Sequence, residues 1–91
     1  MKFVYSVWFQ DASVPFDDED YEWPACFVII AANGAAAKVW GDRLARRYAS
    51  SRSLVLLSSS IEEFYTATLE GIERLAEVTD GNEAQDFEIG W

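Results

Sequence analysis

Histidine is absent from this 91-residue chain, and cysteine is represented by Cys26 alone. Without histidine the commonest general base is missing, and with it the usual catalytic triads and most zinc sites. A single cysteine excludes an intramolecular disulfide and favours a cytoplasmic location over secretion. No apolar run approaches the roughly 20 residues that a transmembrane helix requires. The sequence therefore predicts a protein that is not an enzyme, needs no cofactor or metal and does not contact a membrane.

Positive charge is also scarce, with seven Lys and Arg residues against sixteen Asp and Glu residues, a net charge of −9. Such a surface repels phosphates, so direct nucleic-acid binding is not expected, and a basic protein is the favoured partner. Hydrophobic residues make up 51% of the chain and aromatic residues 15%. This supply is sufficient for one small core, so we predict a single domain over residues 1–91.

Three apolar segments predict strands. Residues 3–9 are β-branched or aromatic on both alternating faces, which indicates a strand covered on both faces, or on one face and by a partner. The run 25–32 is continuously apolar and is the candidate central strand. Residues 54–57 predict a third strand, buried on both faces. Four large aromatic residues are expected in the core, namely Trp8, Phe27, Trp40 and Phe64.

Two segments predict helices. Asn33 can cap a helix that starts at Gly34 and ends in the serine cluster 50–53, with Gly41 allowing close contact with the sheet. Ser60 and Glu63 match a capping box, and apolar residues then recur at helical spacing until Gly81 stops the pattern. The tail, residues 87–91, is either a short edge strand or an apolar peptide that crosses the body of the protein.

The elements together predict an α+β fold, a small two-layer sandwich in the order β-β-α-β-α-(β). Residues 25–57 form a β–α–β unit, whose crossover is right-handed if its strands are parallel, and the first strand joins the same sheet in antiparallel orientation. We expect a mixed sheet of three to four strands with both helices on one face.

The segment 15–24 combines carboxylates with aromatic side chains between two prolines. We predict a partner surface here, because aromatic residues beside charge are typical of interface centres. The acids would steer a basic protein and the two aromatic residues would anchor it. In the alternative interpretation the loop folds onto the sheet, with its rings inward and its acids outward. The predicted binding residues are Asp17, Asp18, Glu19, Asp20, Tyr21, Glu22 and Trp23.

Some of the acids in this segment have part of the spacing of a calcium-binding loop. Asp18, Asp20 and Glu22 have the spacing of its first ligands, but the glycine after the third ligand and the distant bidentate glutamate are missing. We therefore predict no specific metal site. Binding of a small ligand or divalent cation near Asn33, at the turn between strand and helix, stays as an alternative.

The first helix is a basic island, because residues 33–52 hold five cations and one acid, a net charge of +4. Arg43, Arg46 and Arg47 form a candidate basic patch. These arginines either meet acids of the loop or of the second helix, or they meet the acids of a neighbouring copy. The leading functional prediction is a small acidic protein-binding module of the inhibitor or immunity type, acting on a basic or nucleic-acid-handling protein. The alternative is a structural, homo-oligomeric accessory protein such as a homodimer.

Overall fold

The computed structural model describes residues 1–15, 17–18, 21–65, 67, 71 and 74–91. Within this part of the chain no helix is long and apolar enough to cross a membrane. The elements in chain order are β1 (Lys2–Gln10), β2 (Glu22–Ile30), α1 (Gly34–Arg52), β3 (Val55–Glu63), β4 (Glu77–Thr79) and α2 (Asp86–Ile89).

The strands form one mixed sheet in the order β3-β1-β2-β4. β1 is antiparallel to both of its neighbours, and β4 is parallel to β2. β2 and β3 consequently run parallel with α1 between them in sequence, in the β–α–β unit predicted for residues 25–57. The α+β class is confirmed, with a four-stranded mixed sheet and two helices on one face.

The core lies between the sheet and α1. The odd-numbered residues of β1 point toward the helix, and Phe3, Tyr5, Val7 and Phe9 are all buried. They pack with Phe27 and Ile29 of β2 and with small and aliphatic residues of α1 in one cluster. Period-two burial in β1 is what a strand covered by a helix on one face requires.

α1 begins and ends as the sequence predicts. The Asn33 side chain accepts a hydrogen bond from Ala36 N at 2.8 Å, and Ser53 follows the last turn in the left-handed region at φ 57°. Gly41 lies directly on Tyr5, since a Cβ at this glycine would be 2.4 Å from Cδ1 of the ring. The close helix–sheet contact that was predicted at Gly41 is thereby confirmed.

The predicted helix after residue 60 is wrong where the structure describes it. Ser60 and Glu63 do not cap a helix, because both belong to β3, and residues 77–79 form β4. The local capping signature loses to the ladder with β1, whose unpaired edge can bond every second residue of this segment. The expected helical residues 66, 68–70, 72 and 73 lie outside the described residues.

The predicted edge strand at the tail is also replaced by another structure. Residues Asp86–Ile89 form the short helix α2, and the partly buried Trp91 packs against the core, stacked on Tyr48 with 5.0 Å between ring centroids. The alternative of an apolar peptide lying across the body is observed in part, since Ile89 and Trp91 pack on the core whereas Phe87 is 82% exposed. Hydrophobic contact with the open end of the aromatic cluster favours this arrangement over pairing at a sheet edge.

Candidate functional site

Trp8 is exposed, although it was expected in the core. It is the one residue of β1 classed as exposed, with 44% of its surface accessible. Val55 and Leu57 of β3, expected to be buried, are 47% and 43% exposed. The expectation fails because the helices cover one face of the sheet, and Trp8 points to the other. Lys2, Ser6 and Gln10 share its parity in β1, a polar pattern that could have revealed this orientation.

The face opposite α1, called the open face below, is covered at one end only. Val4 and Val28 point to it and are nonetheless 3% and 1% exposed. At that end the Lys2 ammonium lies 5.5 Å from the centroid of the Phe64 ring and hydrogen-bonds Glu77 at 3.4 Å. Trp8 lies toward the opposite end, where β1 and β2 are joined. The exposed apolar surface therefore concentrates near this hairpin.

The register places specific side chains around Trp8. Pro24 of β2 and Ser58 of β3 are its direct neighbours across the two ladders. One step further toward the loop, Gln10 lies between Glu22 and Val55. Directly opposed side chains have Cβ atoms about 4.5–5.5 Å apart, so these six side chains form one surface. We call it the hairpin-end surface, defined by Trp8, Gln10, Glu22, Pro24, Val55 and Ser58.

The acidic loop borders the hairpin-end surface. Asp17 and Asp18 are exposed, and Glu22 is the exposed first residue of β2. Tyr21 is half-buried, and its hydroxyl accepts a hydrogen bond from Gln10 Nε2 at 3.0 Å. The predicted binding residues Glu19 and Asp20 lie outside the described residues. The described acids thus point outward, as the alternative interpretation of this loop expected.

Trp23 packs inward and is not exposed as a partner anchor. Its ring lies 5.0 Å from that of Phe9 and 6.2 Å from that of Tyr48, on the face that α1 covers. Trp8 and Trp23 have therefore exchanged the roles that the sequence suggested for them. The tryptophan in the regular strand is exposed, whereas the one beside the acidic loop belongs to the core.

A cleft of about 290 Å³ lies beside β2, where β4 does not reach. Its walls come from residues 23–26 of β2 and from residues 89–91 of the C-terminal segment. Pro24 has no N–H to donate, and proline is tolerated in a strand where the ladder is unpaired. Cys26 also lines the cleft and has its Sγ 3.3 Å from Ser6 Oγ. The cleft is distinct from Asn33, whose side chain caps α1.

Two arginines of the candidate basic patch make internal ion pairs. Arg47 binds Glu83 at 2.9 Å and Asp86 at 3.0 Å, and Arg43 binds Glu83 as well. Asp86 also accepts a hydrogen bond from Trp91 Nε1 at 3.0 Å. Internal complementarity is therefore observed, but its acids belong to the C-terminal segment and not to the loop. Arg46 lies apart from this cluster, exposed on another side of α1.

A polar network joins β1, α1 and β3 at Asp42. The Asp42 carboxylate accepts hydrogen bonds from Tyr5 Oη at 2.7 Å, Ser59 Oγ at 2.6 Å and Lys38 Nζ at 3.1 Å. Burial opposes the charge of Asp42, but the hydrogen bonds from Ser59, Tyr5 and Lys38 prevail and lower its pKa. Burial, together with the bond to Asp42, raises the pKa of Tyr5. Because every polar group here has a partner, the network acts as a tie between helix and sheet.

The pKa of Asp42 predicts a pH dependence. Since the folded pKa is below the unfolded value of about 3.9, the carboxylate stabilises the fold above that pH. This stability is lost as the pH falls through the folded pKa. We expect Asp42→Asn to cost about 1–2 kcal/mol at pH 7 and progressively less below about pH 4. Urea unfolding at a series of pH values measures both effects, and a deficit that stays constant down to pH 2 would contradict the assignment.

No group of three or more side chains able to bind a metal is found in the described part of the chain. Comparison with models of protein families, with curated proteins and with solved structures finds no match. The candidate site consequently depends on the geometry of the hairpin-end surface and of the acidic loop beside it.

Proposed function

We propose that this chain is a cytoplasmic, non-catalytic protein-binding module that binds a basic protein at the hairpin-end surface. The observation that carries the proposal is the exposure of Trp8 on an inner strand of the sheet, on the face opposite the one that packs on α1. An exposed tryptophan surrounded by polar side chains is typical of the residues that dominate binding energy in interfaces. Pro24 and Val55 extend the apolar centre, whereas Gln10, Glu22 and Ser58 form its polar edge.

Charge supports a basic partner. The chain carries −9 overall, Asp17 and Asp18 are exposed in the loop that joins β1 and β2, and Glu22 is exposed in the hairpin-end surface. Complementary charge near an interface mainly raises the association rate, and salt screens this effect. A protein whose own surface binds nucleic acid has the required positive charge. Inhibition of such a protein, by occupation of its basic surface, is the activity we propose.

Affinity capture with matched variants tests the proposal. Wild-type protein, Trp8→Ser and the control Phe87→Ser are immobilised, exposed to cell lysate and eluted in steps of rising salt. Phe87 is a suitable control because it is 82% exposed and belongs to α2, outside the hairpin-end surface. We expect one basic protein in stoichiometric amount with the wild type and with the control. Trp8→Ser should bind it about 30-fold more weakly or worse, because residues of this kind contribute 2 kcal/mol or more.

Binding kinetics of that protein then distinguish residues that raise the association rate from residues that slow dissociation. Substitution of Asp17, Asp18 and Asp20 by asparagine should lower the association rate constant and flatten its dependence on salt, while Trp8→Ser should mainly raise the dissociation rate. Capture of the same protein by Trp8→Ser at wild-type strength would show that the hairpin-end surface is not the interface. Affinity and rates unchanged by the triple substitution would exclude the acidic loop.

A further inference from the structure

The outer edge of β3 has no strand beside it in the described part of the chain, and at its far end Glu63 O accepts a hydrogen bond from Ala67 N at 3.1 Å. β3 is the first strand of the sheet, and no described strand lies beyond it. Phe64 N donates to Lys2 O at 3.1 Å, which sets the parity of the β1–β3 ladder so that, from Ser58 onward, even-numbered residues of β3 bond to β1. The N–H and C=O groups of Ser59 and Ile61 therefore point away from the sheet. Such an edge is a ready template for pairing with another strand.

β3 lacks several of the features that normally prevent edge pairing, although a β-bulge interrupts its ladder with β1 at Leu57. Its sequence contains no lysine and no proline, the residues that most often protect an edge. Three serines occupy the centre of the strand, where small side chains permit close approach. The two acids, Glu62 and Glu63, are both at one end. This distribution would disfavour a parallel partner, which would place the acids of both strands side by side, but not an antiparallel one.

We propose that two copies of this chain pair through β3, antiparallel, about a two-fold axis at Ser60. Ser59 of each copy then lies opposite Ile61 of the other, and their outward groups make four backbone hydrogen bonds. The same faces of the two sheets match, so both copies of α1 lie on one side. The two Glu63 residues stand six residues apart along the strands, about 20 Å, and the two Glu62 residues four apart, about 13 Å, both beyond the screening length of about 8 Å.

Charge complementarity favours a second copy as the occupant. Arg46 is exposed, and no ion pair of it is found in the described part of the chain, whereas Arg43 and Arg47 bind Glu83. Arg46 follows Asp42 by one helical turn, and Asp42 contacts Ser59 of β3. The proposed register puts Glu63 of the second copy opposite Leu57. Because Glu63 pairs with Phe3, its side chain is on the helix face, within reach of Arg46.

The remaining charges near the axis do not oppose the pairing. Lys38 lies close to the centre of β3, since its Nζ donates to Ser59 Oγ at 2.9 Å. It is also 3.1 Å from Asp42 and is thereby neutralised locally. Each copy therefore brings one Lys38–Asp42 pair, with no net charge, close to the two-fold axis. The interface is centred on the outer edge of β3 and shares Ser58 with the border of the hairpin-end surface, but it does not include Trp8. Loss of the dimer in Arg46→Glu and loss of partner binding in Trp8→Ser are therefore separate results, and either proposal can fail without the other.

Sedimentation equilibrium from about 1 to 500 µM tests the dimer. We expect a mass that rises with concentration toward twice the 10.3 kDa of one chain. Arg46→Glu and Glu63→Arg should each raise the dissociation constant about 10-fold or more, since every substitution places like charges in two symmetry-related contacts. The double variant should return toward the wild-type value, because it restores both pairs in reversed order.

Matched controls and a local readout complete the test. Arg74→Glu and Glu88→Arg change the same charges at exposed positions outside the interface and should leave the dissociation constant unchanged. Hydrogen exchange should show the amides of Ser59 and Ile61 becoming protected as concentration rises. A monomer at every concentration would overturn the proposal. So would a dimer in which the double variant is no tighter than the single ones, or in which these two amides exchange at the same rate as in the monomer.

Discussion

Phe9→Ala should lower the free energy of unfolding by about 3–5 kcal/mol, the largest loss we expect from any single substitution in this protein. Phe9 is fully buried, and its ring contacts three other aromatic rings at centroid distances of 5.0–5.5 Å, those of Trp23, Tyr48 and Trp91. Truncation would leave a cavity at the point where β2, α1 and the C-terminal segment meet. A chain of this size has a total stability of about 5–14 kcal/mol, so the variant would be only marginally folded.

Trp8→Ala is the matched control, because Trp8 is the adjacent residue on the opposite face of the same strand. It also removes a large aromatic side chain, but one that is 44% exposed, so we expect a loss of about 1 kcal/mol or less. Urea denaturation followed by far-UV circular dichroism gives both values without dependence on tryptophan fluorescence. Similar losses at the two positions would mean that the two faces of β1 are not covered as the structure shows.

Gly41→Ala should destabilise the protein by about 1–3 kcal/mol, although alanine is the better helix former. The new Cβ would be 2.4–2.7 Å from three ring atoms of Tyr5, closer than van der Waals contact allows. Tyr5 cannot swing aside freely, because its hydroxyl is bonded to Asp42 at 2.7 Å and its ring lies 5.2 Å from that of Phe27. The expected result is a lower urea midpoint at an unchanged m value.

Gly34→Ala supplies the control for helix propensity. Gly34 is in the same helix, but a Cβ there would meet its nearest atoms, in Phe3 and Ile61, at 3.6 and 3.8 Å, ordinary contact distances. We expect an effect between no change and a gain of about 1 kcal/mol. If Gly41→Ala raised stability as Gly34→Ala does, the close contact between α1 and Tyr5 would be refuted.

Local signals were sufficient for the first half of the fold. Asn33 marks the start of α1 because its side chain satisfies a backbone N–H that the helix leaves unpaired. Strand β2 was predicted from an apolar run. The close contact between helix and sheet at Gly41 was predicted because glycine has no side chain. The cap and the strand depend on neighbours within a few residues in sequence, whereas the partner of Gly41, Tyr5, is distant in sequence and only the small size of glycine pointed to the contact. The cap and the strand therefore appear in the sequence without knowledge of the rest of the chain.

The second half was mispredicted because distant contacts outweigh local ones. Ser60 and Glu63 form a good helix start in isolation, yet pairing with β1 satisfies the same backbone groups and extends β3 to Glu63. Likewise, the position of the C-terminal tail depends on ion pairs and ring contacts with residues of α1. Arg47 binds Asp86, and Trp91 stacks on Tyr48, neither of which can be inferred from residues 82–91 alone.

The sequence by itself determined the composition of the candidate site, namely an excess of acid, many aromatic residues and the absence of histidine. Tertiary structure decided which aromatic residue is exposed. Strand alternation sends Trp8 and Phe9 to opposite faces, but only the packing of α1 and of the C-terminal segment determines which face becomes the core. Trp8 is consequently exposed and Trp23 is packed inside, because burial depends on what covers a side chain and not on its own hydrophobicity.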